Sequence, residues 1–284
     1  MAKSVGWIAY FLWGLLCFFI FFHLLFPYEA LGRRILYTLE QRTNLVTQAS
    51  GTDIRLFGIR WARVGLSYPK QKALPFVEIQ DWVIQVRPLS LLVGRLSVTS
   101  HGTVMGGSFH TELGIERKAH HGLGEWNGIQ IDGFPFLWME EASFGGVASG
   151  EVLWESAGER LEGEASFELR DGRIENLRLA GLTLSPLDLG RIEGQLTWNG
   201  ERIDLEEISV AGRDLNATLT GSVAIRNPFP QSNATCRLEL APAKRLMDRY
   251  PVMQALLGQK KGQSGPVIIR IRGPLEAPQI SLTR

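Results

Sequence analysis

The hydrophobic positions of this chain fall into two regimes. From Val5 to Phe26 the residues read VGWIAYFLWGLLCFFIFFHLLF, apolar almost throughout. About 20 such residues in a helix cover the ~30 Å hydrocarbon core of a bilayer, so the run predicts a membrane-spanning segment. A cleavable signal peptide has a shorter apolar stretch of ~7–15 residues that ends at small residues. This one runs on into Pro27-Tyr28-Glu29, which predicts an uncleaved anchor, with His23 near enough to the helix end to reach the interface. Beyond it, Leu31, Ile35 and Leu39 recur every four residues among Arg33, Arg34, Glu40 and Arg42. That spacing predicts an amphipathic connecting helix within residues 28–50. Its basic side could rest on lipid headgroups, or the helix could plug the end of the sheet that follows.

After Gly51 the period changes to two, the mark of strands buried on one face. The alternating segments are Asp53–Trp61, Phe76–Arg87, Leu96–Ser100, Ser108–Ile115, Gly128–Asp132, Gly150–Glu155, Leu161–Arg170, Leu177–Leu184, Glu193–Trp198, Ile203–Val210, Leu215–Ile225, Cys236–Leu240, Val267–Arg272 and Gln279–Leu282. A short helix is predicted near residues 243–257, interrupted at Pro251. Pro266, Pro274 and Pro278 mark strand margins, where a missing N–H is tolerated. The fold class expected is mainly β, an N-terminal transmembrane helix followed by an elongated antiparallel sheet.

Turn chemistry predicts register. Two-residue loops at Asn199-Gly200, Ala157-Gly158 and Asp171-Gly172 set Leu196 opposite Ile203, Trp154 opposite Leu161 and Leu169 opposite Ile174. The apolar phase slips by one after Ile174, which predicts a bulge near Glu175-Asn176. Gly150-Glu-Val-Leu-Trp154 recurs as Gly194-Gln-Leu-Thr-Trp198, a faint repeat compatible with stacked meanders.

Charge and chemistry narrow the function. The 30 basic and 29 acidic residues leave a formal charge of +1, without the basic excess of a nucleic-acid binder. Cys17 and Cys236 cannot form a disulfide framework. No phosphate-loop motif is present, and Gly122-Leu-Gly-Glu-Trp-Asn-Gly128 lacks dinucleotide spacing and reads as a turn. Gly146-Val-Ala-Ser149-Gly150 places its serine one residue late for a nucleophile elbow and reads as the start of a strand. His101 and His110 fall in strand-like segments and His120-His121 in a loop, without the H-x-x-x-H spacing of a helical zinc site. Glu140-Glu141 would alternate faces on a strand, as a solvated edge does. No catalytic, cofactor-binding or metal-ligating residue is therefore assigned, and the chain reads as non-enzymatic. What remains is an apolar sheet face to be covered by a second sheet, by the helices near 30–44 and 243–257, by a partner, or by lipid.

Phe26-Pro-Tyr-Glu-Ala-Leu31, Leu89-Ser-Leu-Leu-Val-Gly-Arg-Leu96, Gly106-Gly107, the meanders around Gly194 and Gly273-Pro-Leu-Glu-Ala-Pro-Gln-Ile-Ser-Leu282 together resemble the N component of type II secretion systems (GspN). The terminal element, and an anchor followed by an extended sheet, are also similar to the AsmA-type proteins of Gram-negative envelopes. The first resemblance implies a single-pass inner-membrane protein with residues 1–27 as cytoplasmic tip and anchor and residues 51–284 as a periplasmic β-rich domain. It implies an accessory role beside other secretion components, without catalytic residues or cofactors. Arg33, Arg34 and Arg42 against Lys3 would favour the opposite orientation by flanking charge alone. The strand-rich remainder and the lack of a second long apolar run favour the amino terminus inside. The AsmA side implies a curved sheet whose concave apolar face holds acyl chains of membrane phospholipid.

Overall fold

Alternating sequence becomes antiparallel strand almost everywhere in this computed structural model, which describes residues 2–25, 27–43, 45–55, 57–67, 77–117, 119–132, 134–136, 139–158, 160–176, 178–179, 182–183, 186–226, 231–250 and 266–283. Helices α1 (Ala2–Leu25) and α2 (Tyr28–Thr43) lead into β1 (Val46–Arg55), β2 (Gly58–Ser67) and β3 (Val77–Arg87). Then come α3 (Pro88–Leu91), β4 (Leu96–Val104), β5 (Gly107–Ile115), β6 (Ala119–Gln130), β7 (Phe134–Phe136), β8 (Met139–Ala157) and β9 (Arg160–Glu175). The rest is β10 (Arg178–Leu179), β11 (Leu182–Thr183), β12 (Leu187–Trp198), β13 (Arg202–Ala211), β14 (Leu215–Ala224), β15 (Asn233–Pro242), α4 (Lys244–Arg249), β16 (Val267–Pro274) and β17 (Gln279–Thr283). The chain is mainly β, an open antiparallel sheet with few short helices. It divides into two units, residues 1–105 with 109–117, and residues 106–108 with 118–284.

In the first unit the order is β1-β2-β3-β4-β5. Strand begins at Val46, ahead of the expected Gly51, which lies inside β1 at a φ of 65°. Ile59, Trp61, Val64 and Ile84 form the core, with Ile79, Trp82 and Val98 packed against it. Trp61 and Trp82 face each other across β2 and β3 at 5.1 Å between ring centroids, and the Trp82 indole N–H donates to Ser100 Oγ at 2.7 Å. Helix α2 closes this core with Ile35 and Leu36 rather than with the full Leu31–Ile35–Leu39 stripe, and Arg33 and Arg34 stay exposed. Gly32 makes the approach possible, since a Cβ there would stand 2.7 Å from Ile59 Cδ1 and 2.9 Å from Trp61 Cζ2. Among the described residues no single helix is long and apolar enough to cross a membrane. Leu12–Leu25 and Tyr28–Gln41 reach that length and hydropathy only together, bent by 54° at the break that holds Pro27.

In the second unit the order is β6-β8-β9-β12-β13-β14-β15-β16-β17, with β7 on β8 and a separate β10-β11 pair. Two expected hairpins form with a register two residues away from the expectation: Trp198, not Leu196, faces Ile203, and Trp154 faces Gly163, not Leu161. The cause at the first is Asn199, which stays in line with the strand. Its side-chain oxygen accepts from Glu201 N at 3.3 Å and Arg202 N at 3.0 Å, so the loop moves to Gly200-Glu201, with Gly200 at a φ of 85°. A shift of two leaves every side chain on its intended face.

The third expected hairpin does not form. Asp171 takes a φ of 54° and Gly172 pairs with Gly190, so the left-handed tolerance of Asp and Gly makes an irregularity inside the continuous β9. The bulge expected at Glu175-Asn176 is instead the end of β9, with Asn176 at a φ of 57°. Helix α4 forms at the start of the 243–257 span expected to be helical, ahead of the interruption at Pro251. Its Leu246 packs on Leu187, and residues 251–257 lie outside the described residues.

Candidate functional site

Antiparallel register, read with the alternation of side chains, sorts the second unit into two unlike faces. Trp126, Val152, Phe167, Ile192, Leu205, Leu219, Leu238 and Ile269 stand on one of them, on successive strands. Strand β14 is the clearest case: Leu215, Ala217, Leu219, Gly221 and Val223 alternate with Asn216, Thr218, Thr220 and Ser222. Most of these apolar side chains are half-buried rather than buried. Among the described residues no second sheet packs over this face, and α4 touches it at Leu187.

Aromatic rings supply part of the missing layer. Trp154 lies over Gly122, Trp126 over Gly150 and Trp198 over Gly163, and Phe167 meets Gly194. In each pair a Cβ on the glycine would collide with the ring. This corrects two expectations: Gly122–Gly128 is strand β6 rather than a turn, and His120-His121 belongs to the same strand rather than a loop. Ser149 likewise sits within β8 and not at its start, donating to Asn127 Oδ1 at 3.0 Å and accepting from Gly128 N at 3.1 Å. The weak Gly-x-x-x-Trp repeat thus has a structural meaning, since Trp154 and Trp198 each cover a glycine on a paired strand, β6 and β9 respectively.

The opposite face carries a trough of about 840 Å³ lined by Glu125, Glu151, Glu168, Glu193 and Glu207 among serines. Arg191 bridges Glu168 at 2.8 Å and Glu193 at 3.0 Å. Among the described residues no group of three or more His, Cys, Asp or Glu is placed to hold a metal ion. The side chains of Glu140 and Glu141 lie outside the described residues.

The first unit holds a different kind of concavity, about 1210 Å³ in volume. Leu16, Ile20 and Leu24 of α1 form one wall, joined by Phe57, Leu89 and Val93. The floor is polar, with Arg87, Ser97, Thr99, His101, His110 and Glu112 of β3, β4 and β5. Register brings them together, because Arg87 pairs with Ser97 and Gln85 with Thr99. Arg87 Nη2 donates to Glu112 Oε1 at 2.6 Å, and His110 Nε2 stands 3.4 Å from the same oxygen. Desolvation pushes the Glu112 carboxyl up, but His110 and Arg87 outweigh it and hold it below the usual carboxylate range. His23 does not stand alone in α1: its ring packs 5.8 Å from both Tyr28 and Phe57.

No family model, curated protein or solved structure matches this chain. Its function has to be argued from these surfaces. Of the histidines weighed in the sequence, His101 and His110 come together in the cavity floor. The arginine beside them and the aliphatic wall opposite were not singled out, because nothing in local spacing ties α1 to β4 and β5.

Proposed function

We propose that this chain is an accessory, non-enzymatic component of a type II protein secretion apparatus, held at the inner membrane by the apolar run Val5–Phe26 with its β-rich part in the periplasm. It acts by protein interaction. The observation that carries an interaction role is the apolar face of the second unit, which runs from β6 to β17 without a second layer among the described residues. Apolar patches of more than a few hundred Å² on a folded chain mark surfaces that meet a partner or a lipid. The resemblance at the anchor junction, at Leu89–Leu96 and at the terminal hairpin directs the choice to the secretion machine.

Ile280 and Leu282 extend this face at the edge strand β17 and are well exposed, so acidic residues there alter the surface without opening a core. In a strain lacking the gene, export of folded substrates should fall, and the Ile280→Glu, Leu282→Glu double variant should fail to restore it although it accumulates normally. Full export in the deletion strain under conditions that require the system would remove this reading.

A second reading, an AsmA-like lipid-binding envelope protein, is favoured by one specific observation: the first unit has a cavity with an aliphatic wall and a polar floor, the division expected for an amphiphile. Phospholipid copurifying with the full chain in detergent supports it, and a lipid-free preparation argues against it.

A further inference from the structure

We propose that the strand connection at α3 dips into the same bilayer as the apolar run Val5–Phe26, as a second and shallow point of contact between the first unit and the membrane. This rests on the membrane anchorage proposed above and adds a surface to it. The connection from Pro88 to Gly94 reads Pro-Leu-Ser-Leu-Leu-Val-Gly, and Leu89, Leu92 and Val93 are 62%, 57% and 79% exposed. One exposed leucine is ordinary, whereas three on a single tight turn form a patch. Among the described residues the other well-exposed large aliphatic side chains outside α1 lie on strands, and connections such as Asn199-Gly200-Glu201 are polar.

The backbone of this turn suits a medium poor in water. The N–H groups of Leu92, Val93, Gly94 and Arg95 donate to Leu89, Ser90, Leu91 and Ser90 carbonyls at 3.0 to 3.2 Å, and Gly94 takes the positive φ of 75° that closes the turn. The Ser90 hydroxyl donates to the Arg87 carbonyl at 2.6 Å and accepts from Ser97 N at 3.1 Å. Polar groups satisfied internally are the condition for backbone that leaves water for lipid.

Charge sets the depth. Arg87 and Arg95 bracket the turn and pair with Glu112 at 2.6 Å and Glu116 at 3.6 Å. These four side chains are between 36% and 55% exposed, and charged groups belong in water, so only the residues between the two arginines enter the boundary of headgroups and acyl chains. Two neutral pairs leave no cationic excess, so the contact is apolar and independent of anionic lipid. The location follows from α1, which belongs to the same unit. Leu16, Ile20 and Leu24 recur every four residues on one side of that helix and share one concavity with Leu89 and Val93. The turn therefore stands beside the last turns of α1, where a spanning run reaches the headgroups. A protein partner is the poorer occupant. Strands β3 and β4 are paired on both sides and offer no edge, and three side chains fall far short of the roughly 20–30 residues a side of a stable interface.

The test places the full chain, one copy per nanodisc, in phosphatidylcholine. In a Cys17→Ala, Cys236→Ala background, Val93→Cys or Leu24→Cys carries an environment-sensitive fluorophore; both native positions are well exposed, so the label opens no core. Both labels should emit in the blue, lose intensity to doxyl-labelled lipid and resist iodide. Adding Leu89→Gln and Leu92→Gln should return the Val93→Cys label to iodide and leave the Leu24→Cys label in lipid. A Val93→Cys label open to iodide while Leu24→Cys stays in lipid overturns the proposal and keeps the anchorage. Both labels in water overturn both. A Val93→Cys label shielded from iodide and from doxyl lipid alike overturns the proposal in favour of a protein contact. Lipid contact at Val93→Cys that appears only in phosphatidylglycerol overturns it too, because attachment would then rest on charge.

Discussion

Replacing Gly122 by alanine isolates the device that lets one face of the second unit stay open. The new Cβ would lie 2.7 Å from Trp154 Cζ2 and closer still to Nε1 and Cε2 of the same ring. Carbon atoms prefer about 3.5–4.0 Å, so the indole must move by about 1 Å or leave its seat. Forcing extra volume into a packed site costs typically ~1–3 kcal/mol. Against that stands the gain of about 0.5–1 kcal/mol when alanine replaces glycine in a strand. The net loss expected is about 1–2 kcal/mol, or a fall in Tm of about 2–8 °C at the ~2–4 °C per kcal/mol typical of this size.

A second background removes the ring. In Trp154→Val, which keeps a β-favouring side chain, the Gly122→Ala change meets no ring atom and should stabilise. The cycle Gly122→Ala, Trp154→Val and the double variant, followed by urea unfolding with far-ultraviolet circular dichroism, measures the coupling directly. A coupling of about 1–3 kcal/mol is expected. Additive effects of the two substitutions would refute the claim that the tryptophan is seated on the glycine.

The remaining expectations use the same readout. Glu112 has its pKa lowered by His110 and Arg87, so its stabilising contribution is present above the ordinary carboxylate range and lost as pH falls through the lowered value. Stability measured down to about pH 3 should decline less in Glu112→Gln than in the native chain, although Glu112→Gln starts lower at neutral pH. Asn199→Ala removes two acceptor contacts to Glu201 and Arg202 and should cost about 1 kcal/mol in unfolding free energy, with the strands otherwise intact. Gly32→Val should push α2 off Ile59 and Trp61 and lower Tm, and protease sensitivity should appear first at α2. Asp214→Ala leaves the Asp188 N–H without its 2.9 Å acceptor in a buried corner, and a loss of about 1–3 kcal/mol is expected on thermal unfolding.

Period-two alternation carried the fold because side chains on a strand have nowhere else to point. Leu215–Ala224 is legible on sight for that reason, and even the misjudged Asn199-Gly200 loop kept its faces, since its error was an even number of residues. Gly122–Gly128 was illegible for a physical reason. Glycine advertises a turn locally, whereas here Gly122 is required by Trp154, more than thirty residues away in sequence, and only strand pairing reveals the partner. Asp171-Gly172 misled in the opposite way, because the same left-handed tolerance serves a hairpin or an irregular strand. The cavity of the first unit was hidden most completely. Arg87, His101, His110 and Glu112 are unremarkable singly, and their convergence follows from the order β3-β4-β5 and from the placement of α1.

A sheet that leaves its apolar face without a second layer must find stability between neighbouring strands. Each ring in the Trp154–Gly122, Trp126–Gly150 and Trp198–Gly163 pairs covers the backbone of an adjacent strand, so apolar area is buried strand against strand rather than layer against layer. Stability of this kind adds up along the strand order, each strand depending on the next, as in repeat proteins. It leaves the aliphatic side chains of the face half-exposed at a cost that does not threaten the fold. A partner or an acyl chain binding there gains that exposed area without displacing anything. Acidic substitutions at Ile280 and Leu282 should therefore weaken binding well before they lower the unfolding midpoint, and that order of effects separates a surface kept open for contact from a core that merely packs badly.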